Sequence, residues 1–104
     1  MKTVWIWAWV LTVSTALADE VTAGRAKADG ACALCHGPAG VGTLPNAPNL
    51  AGQPAMYVSE QLKNYRSGKR QHEVMNLIAK PLTDVEIAQL AAWYSAIKVA
   101  VELP

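Results

Sequence analysis

The apolar positions of this 104-residue chain change their rhythm from one stretch to the next. Val4 to Val13 is a nearly unbroken apolar run. From 20 to 31 the chain is alanine-rich, with Asp19, Glu20 and Thr22 placed to supply acidic or capping groups, so a first helix is expected there. Gly37 to Gly52 has no periodicity; it holds Gly37, Pro38, Gly40, Gly42, Pro45, Pro48 and Gly52, and is expected to be a loop. A loop of this length in a small domain usually has a function. Helical spacing returns at 54–66, where Val58, Leu62 and Tyr65, with Gln61 between them, form an inward stripe. Pro54 at the first helical position and Gly68 just past the end bracket that helix. A short helical turn follows Met75, through Asn76 to Lys80, and Pro81 ends it. In the last helix Thr83 and Glu86 form a capping box, with Leu82 and Ile87 as its hydrophobic staple. Ile87, Leu90, Ala91, Tyr94 and Ile97 then share one face. No strand-like alternation occurs. The expected class is all-α.

The first apolar run has the features of an export signal. Lys2 provides the positive end, the run follows, and Ala16-Leu17-Ala18 gives a small-residue cleavage pattern with the cut after Ala18. Residues 1–18 would be a cleavable leader and 19–104 a single domain. An uncleaved anchor is the alternative, but a span needs about 20 mostly apolar residues, and Val4 to Ala18 is shorter and includes Thr12, Ser14 and Thr15. The leader also distorts the composition. Three of the four tryptophans lie in it, and it inflates the 52% hydrophobic content. Lys2 is one of nine Lys and Arg, so its loss balances the cations against eight Asp and Glu. With no basic excess, nucleic acid is excluded as a partner.

Chemistry concentrates at Cys32-Ala33-Leu34-Cys35-His36. Two thiols three positions apart can each form a thioether to a haem vinyl group, and the adjacent histidine can reach the iron. A dithiol redox pair also uses this spacing, but normally beside a βαβ pattern. A structural zinc site needs about four ligands, and only Cys32, Cys35, His36 and His72 are on offer. Export permits a Cys32–Cys35 disulfide, the main rival to haem. So short a chain has a small core, which a large apolar prosthetic group would help to complete. Lys63, Arg66, Lys69 and Arg70 crowd the end of the 54–66 helix. They would either complement its dipole or form a docking patch or a partner for haem propionates.

Taken together, the motif, loop and helices resemble a class I c-type cytochrome, closest to the small single-domain periplasmic c553 type. The resemblance rests on Ala23 to Ala28, Cys32 to Gly37, Pro48 to Gln53, Gln61 to Arg70, and the run from Met75 through Leu82, Thr83, Asp84 and Ile87 to Tyr94. It implies about four helices wrapped around one covalently bound haem c. Cys32 and Cys35 would carry the thioethers. His36 would be the proximal ligand and Met75 the sixth, with Met56 and His72 as rivals for that place and Met56 otherwise a core filler. Pro48 would accept a hydrogen bond from the other nitrogen of His36, and Leu50 would pack on the haem face. Gln53, Tyr57 and Arg66 are candidates for propionate contacts. Gly24 matches the glycine at which the first and last helices cross, with Trp93 against it. Where relatives often place an aromatic one turn later this chain has Ala28, so Trp93 is expected to fill the space.

The function implied by that resemblance is one-electron transfer, not enzymatic catalysis. His/Met ligation leaves no open iron position, and methionine favours the ferrous state. The carrier would be periplasmic and, once processed, not membrane-spanning. Its partners would be redox proteins: a quinol- or substrate-oxidising complex on one side, a terminal oxidase or reductase on the other. Alternatives are an electron-transfer subunit of a larger oxidoreductase, a haem-based sensor or peroxidase with an open sixth site, and a haem-free thiol–disulfide protein.

Overall fold

A computed structural model describes residues 5–104 of the chain, with side chains from residue 15 onward. The helices run in the order α1 (Trp5–Ala31), α2 (Ala33–His36), α3 (Ala55–Ser67), α4 (Glu73–Ala79) and α5 (Asp84–Ala96), and there is no strand among the described residues. Lys2 and Val4, expected in the leader, lie outside the described residues, as do the side chains of the apolar run through Ser14.

The first helix does not begin at 20. Helix α1 passes through Asp19 and Glu20 without a break, because no glycine or proline interrupts the sequence before Gly24. Thr22 does not cap a terminus there. Its hydroxyl donates back to the Ala18 carbonyl at 2.9 Å, one helical turn earlier. Among the described residues no helix is long and apolar enough to cross a membrane.

Helix α3 starts one residue later than expected, with Pro54 as the flanking extended residue and not the first helical one. It ends at Gly68, which is left-handed at φ 84° and donates to the Tyr65 carbonyl. Helix α4 starts three residues before the expected turn, at Glu73, so that Met75 lies inside its first turn. Helix α5 starts as expected: Thr83 accepts from the Glu86 N–H at 3.1 Å, and the Glu86 carboxylate accepts from the Thr83 N–H at 3.0 Å.

These helices place α5 between α1 and α3. The core consists of Ala28, Val58, Ala79, Leu82, Ile87, Leu90, Ala91 and Tyr94. Ile87 and Leu90 are its largest fully buried side chains, each contributing about 1.5–3 kcal/mol by burial. Leu62 and Tyr65 of the expected α3 stripe pack against this cluster while partly exposed. Gly24 lies where α1 crosses α5. Trp93 lies against that glycine, its Cβ 2.9 Å from where a Cβ on Gly24 would stand. Half-buried, it packs against the core and lies beneath the Arg25 guanidinium at 5.1 Å. Ala28 is buried in the cluster that includes Leu90, Ala91 and Tyr94.

Two ion pairs lock the start of α5 to its neighbours. Lys27 of α1 meets Glu86 at 2.7 Å, and Arg66 of α3 meets Asp84 at 2.6 Å. Arg66 also donates to the Leu82 carbonyl at 3.0 Å.

Candidate haem site

The Cys-x-x-Cys-His segment forms its own turn of helix. Backbone bonds from Cys32 N–H to the Ala28 carbonyl and from His36 N–H to the Cys32 carbonyl carry α1 into α2 with hardly a break. Both cysteines are unpaired thiols, each partly exposed. Burial pushes the Cys32 thiol up, with the nearby Tyr94 hydroxyl and Lys27 ammonium working against it. The Tyr94 hydroxyl is buried beside that sulfur without a hydrogen bond of good geometry. Its own ionisation is pushed up by the same burial and by Cys32.

His36 is 8% exposed and, Tyr94 with its hydroxyl aside, the one polar side chain among the buried residues described. Its Nδ1 lies 2.8 Å from the Pro48 carbonyl oxygen. A carbonyl can only accept, so Nδ1 carries the proton. In the neutral ring Nε2 then keeps its lone pair.

The loop that brings Pro48 to His36 is aperiodic, as expected, but it is pinned along its length. Thr43 binds the end of α2 three ways: its N–H donates to the Cys35 carbonyl at 3.0 Å, and its hydroxyl reaches the carbonyls of Leu34 at 2.9 Å and Cys35 at 3.2 Å. Asn49 accepts from the Gly42 N–H at 2.8 Å. The Gly40 carbonyl takes both Leu50 N–H at 2.7 Å and Ala51 N–H at 3.0 Å. Gly40 sits at φ 75°, and a Cβ there would stand 2.8 Å from the Ala51 nitrogen, so conformation and space both call for glycine. Sequence reading did not single out Thr43 or Asn49. Their only signal was a short polar side chain in a loop.

The other expected ligand stands on a separate element. Met75 is partly buried on α4, and His72 is the exposed residue that caps that helix. Met56 does not fill the core: it is 82% exposed, because the first turn of α3 projects it away from α5. It lines an open cleft of about 410 Å³ with Ser59, Glu60, Lys63, Asn64 and Lys69, none of them motif residues. Leu50 is partly buried against the core. Of the three propionate candidates, Gln53 reaches only the Asn49 carbonyl at 3.4 Å and Tyr57 is exposed. Arg66 is engaged by Asp84 and Leu82. Arg70 lies over the Tyr65 ring at 4.8 Å and donates to Gln61 at 2.9 Å. Of the four cations at the end of α3, then, two arginines have intramolecular partners.

Comparison with known proteins bears directly on this arrangement. The family described as cytochrome c oxidase, cbb3-type, subunit III matches residues 19–93. Cytochrome c-554(548) of Halomonas halodenitrificans is 42% identical over 82 residues, covering 76% of this chain and 98% of that protein. The chain belongs to this family and is a class I c-type cytochrome. Cytochrome c4 of Thiocapsa roseopersicina is 47% identical over 73 residues, 70% of this chain, which spans only 38% of that protein. The crystal structure of reduced recombinant cytochrome c4 from Pseudomonas stutzeri superposes with a TM-score of 0.69 at 30% identity, over 81% of this chain and 50% of that one.

A c-type cytochrome carries covalently bound haem c and transfers electrons. The residues present fit that group. This cytochrome offers two unpaired thiols on one helical turn, and a buried histidine with Nδ1 committed to a carbonyl and Nε2 left with a free lone pair.

Proposed function

We propose that this cytochrome is a one-electron carrier with a single haem c. In that reading Cys32 and Cys35 would form the thioethers, and His36 and Met75 would ligate the iron. The observation that carries it is the 2.8 Å bond from His36 Nδ1 to Pro48. Such a bond fixes the tautomer and ring plane and raises the basicity of the ligating nitrogen. The bound haem supplies a one-electron iron couple. The chain's residues would do the rest: Cys32 and Cys35 would hold the group in place, Pro48 orients His36, Leu50 would pack against it, and Met75 would be the second iron ligand, a soft neutral donor that favours the ferrous state. The only Cys-x-x-Cys-His segment in these 104 residues is 32–36, which supports one haem.

The same reading places the protein in the periplasm, with residues 1–18 removed on export and 19–104 as the working domain. Donor and acceptor are redox proteins, a quinol- or substrate-oxidising complex and a terminal oxidase or reductase. A second reading, a fixed electron-transfer subunit of a larger oxidoreductase, draws support from the oxidase-subunit description of the family. Haem-to-chain stoichiometry, a potentiometric titration and carbon monoxide binding to the ferrous protein test the proposal. One haem per chain, a single one-electron wave and no carbon monoxide adduct at neutral pH are expected. A stable adduct would place the protein with open-site sensors or peroxidases, and co-purification only within a membrane complex would favour the subunit.

A further inference from the structure

Helix α4 has seven residues, too few to hold itself together in water, and its first N–H groups have no partners within the helix. Side chains from both sides of that turn supply what it lacks. His72, the residue before the helix, accepts at Nδ1 from the N–H groups of Val74 at 3.3 Å and Met75 at 3.2 Å. Asn76 returns the contact, its Oδ1 accepting from the His72 N–H at 2.7 Å. The Asn76 amide then uses both of its protons on the preceding segment, donating to the carbonyls of Tyr65 and Arg70 at 2.9 Å each. Every polar atom of that amide is engaged. Tyr65 belongs to α3, and its ring also meets that of His72 edge-on at 6.4 Å.

We propose that His72 and Asn76 are positioning residues that together set the register of Met75, and that His72 acts as this cap and not as an iron ligand. The inference rests on Met75 being the sixth ligand. Met75 is the third residue of α4, and its own N–H is one of the two that His72 holds. One residue of slippage would swing its side chain by about 100° around the helix axis, which a ligand bound at one sulfur atom cannot follow. Asn76 ties that register to the end of α3, so the placement of Met75 is referred to a longer helix packed on the core. The cap also excludes the rival ligand on chemical grounds. With Nδ1 accepting, the neutral ring of His72 carries its proton on Nε2, and neither nitrogen has a lone pair left for iron.

The test uses the haem-loaded protein and exogenous imidazole, which competes with methionine for ferric iron. The readout is loss of the far-red methionine-to-iron charge-transfer band during titration, with far-ultraviolet circular dichroism showing that each variant is folded. Losing the cap in His72→Ala should tighten apparent imidazole binding roughly two- to thirtyfold, the range that N-cap removal represents. Asn76→Ala should act in the same direction. His72→Asn should stay close to the wild type, since asparagine caps well and offers no imidazole. If Asn76→Ala does not fold, Asn76→Asp replaces it, keeping the acceptor for His72 while losing the two donated bonds. Unchanged imidazole affinity in His72→Ala and the Asn76 variant would overturn the proposal. So would a His72→Asn protein that behaves like His72→Ala. Met75→Leu separates this from the underlying assignment. If the wild type lacks the band, or Met75→Leu retains it, the ligand reading has failed and the positioning role falls with it. If the band depends on Met75 but the variants compete as the wild type does, only the positioning role fails.

Discussion

Gly24 of α1 lies against the backbone of Gln89 in α5. A Cβ at Gly24 would stand 1.9 Å from the Gln89 carbonyl oxygen and 2.9 Å from Trp93 Cβ. The nearest atom is main chain, so no rotamer change can make room. Gly24→Val should therefore push α1 and α5 apart. Overpacking of this kind typically costs about 1–3 kcal/mol, and the melting temperature of the haem-loaded protein should fall by at least roughly 4 °C. An unchanged melting temperature would mean that the crossing is not where the geometry puts it.

The Lys27–Glu86 pair spans the same crossing. Its hydrogen bond to Lys27, helped by the Thr83 contacts, holds the Glu86 carboxyl at about 2 against an ordinary 4.5. A depressed carboxyl contributes its full stabilisation above the unfolded value and loses it as pH falls toward the folded one. Glu86→Gln keeps the capping acceptor and removes the charge. The wild type should melt above the variant at neutral pH, and the gap should close between about 4.5 and about 2. Melts recorded across that range check it; a gap that stays constant would show that the charge contributes nothing.

Haem attachment through Cys32 and Cys35 predicts that haem stays with the chain through denaturation and acid–organic extraction. Changing both residues to Ala should abolish that retention. A haem stain on a denaturing gel reads the result, and haem that extracts from the wild type would remove the basis of the assignment.

Met75→Ala should erase the far-red charge-transfer band and lower the midpoint potential, since a softer neutral ligand no longer favours ferrous iron. Met56→Leu should leave both nearly unchanged, because Met56 is exposed on α3. A band lost in Met56→Leu would reverse the two roles.

Features that depend on a few adjacent residues were legible in the chain itself. Thr83 and Glu86 form a capping box wherever the helix that follows packs, Gly68 ends α3 because its left-handed backbone strains other residues, and Cys32, Cys35 and His36 share one turn by spacing alone. The all-α class followed from helical periodicity in the same way. Partner choice was not legible. Asp19 and Glu20 could have opened a helix, but nothing upstream closed the preceding one, so α1 runs through them. The partners of Arg66 carry no local sign either; the packing of α3 on α5 gives it Asp84 and the Leu82 carbonyl. Asn76 carries no local sign that it bridges Tyr65 and Arg70, and Met56 none that it points outward. The physical reason is range. Caps and turns close within a few residues, where the sequence sets the distances, whereas the meeting of α1, α3, α4 and α5 depends on how all four share one small core.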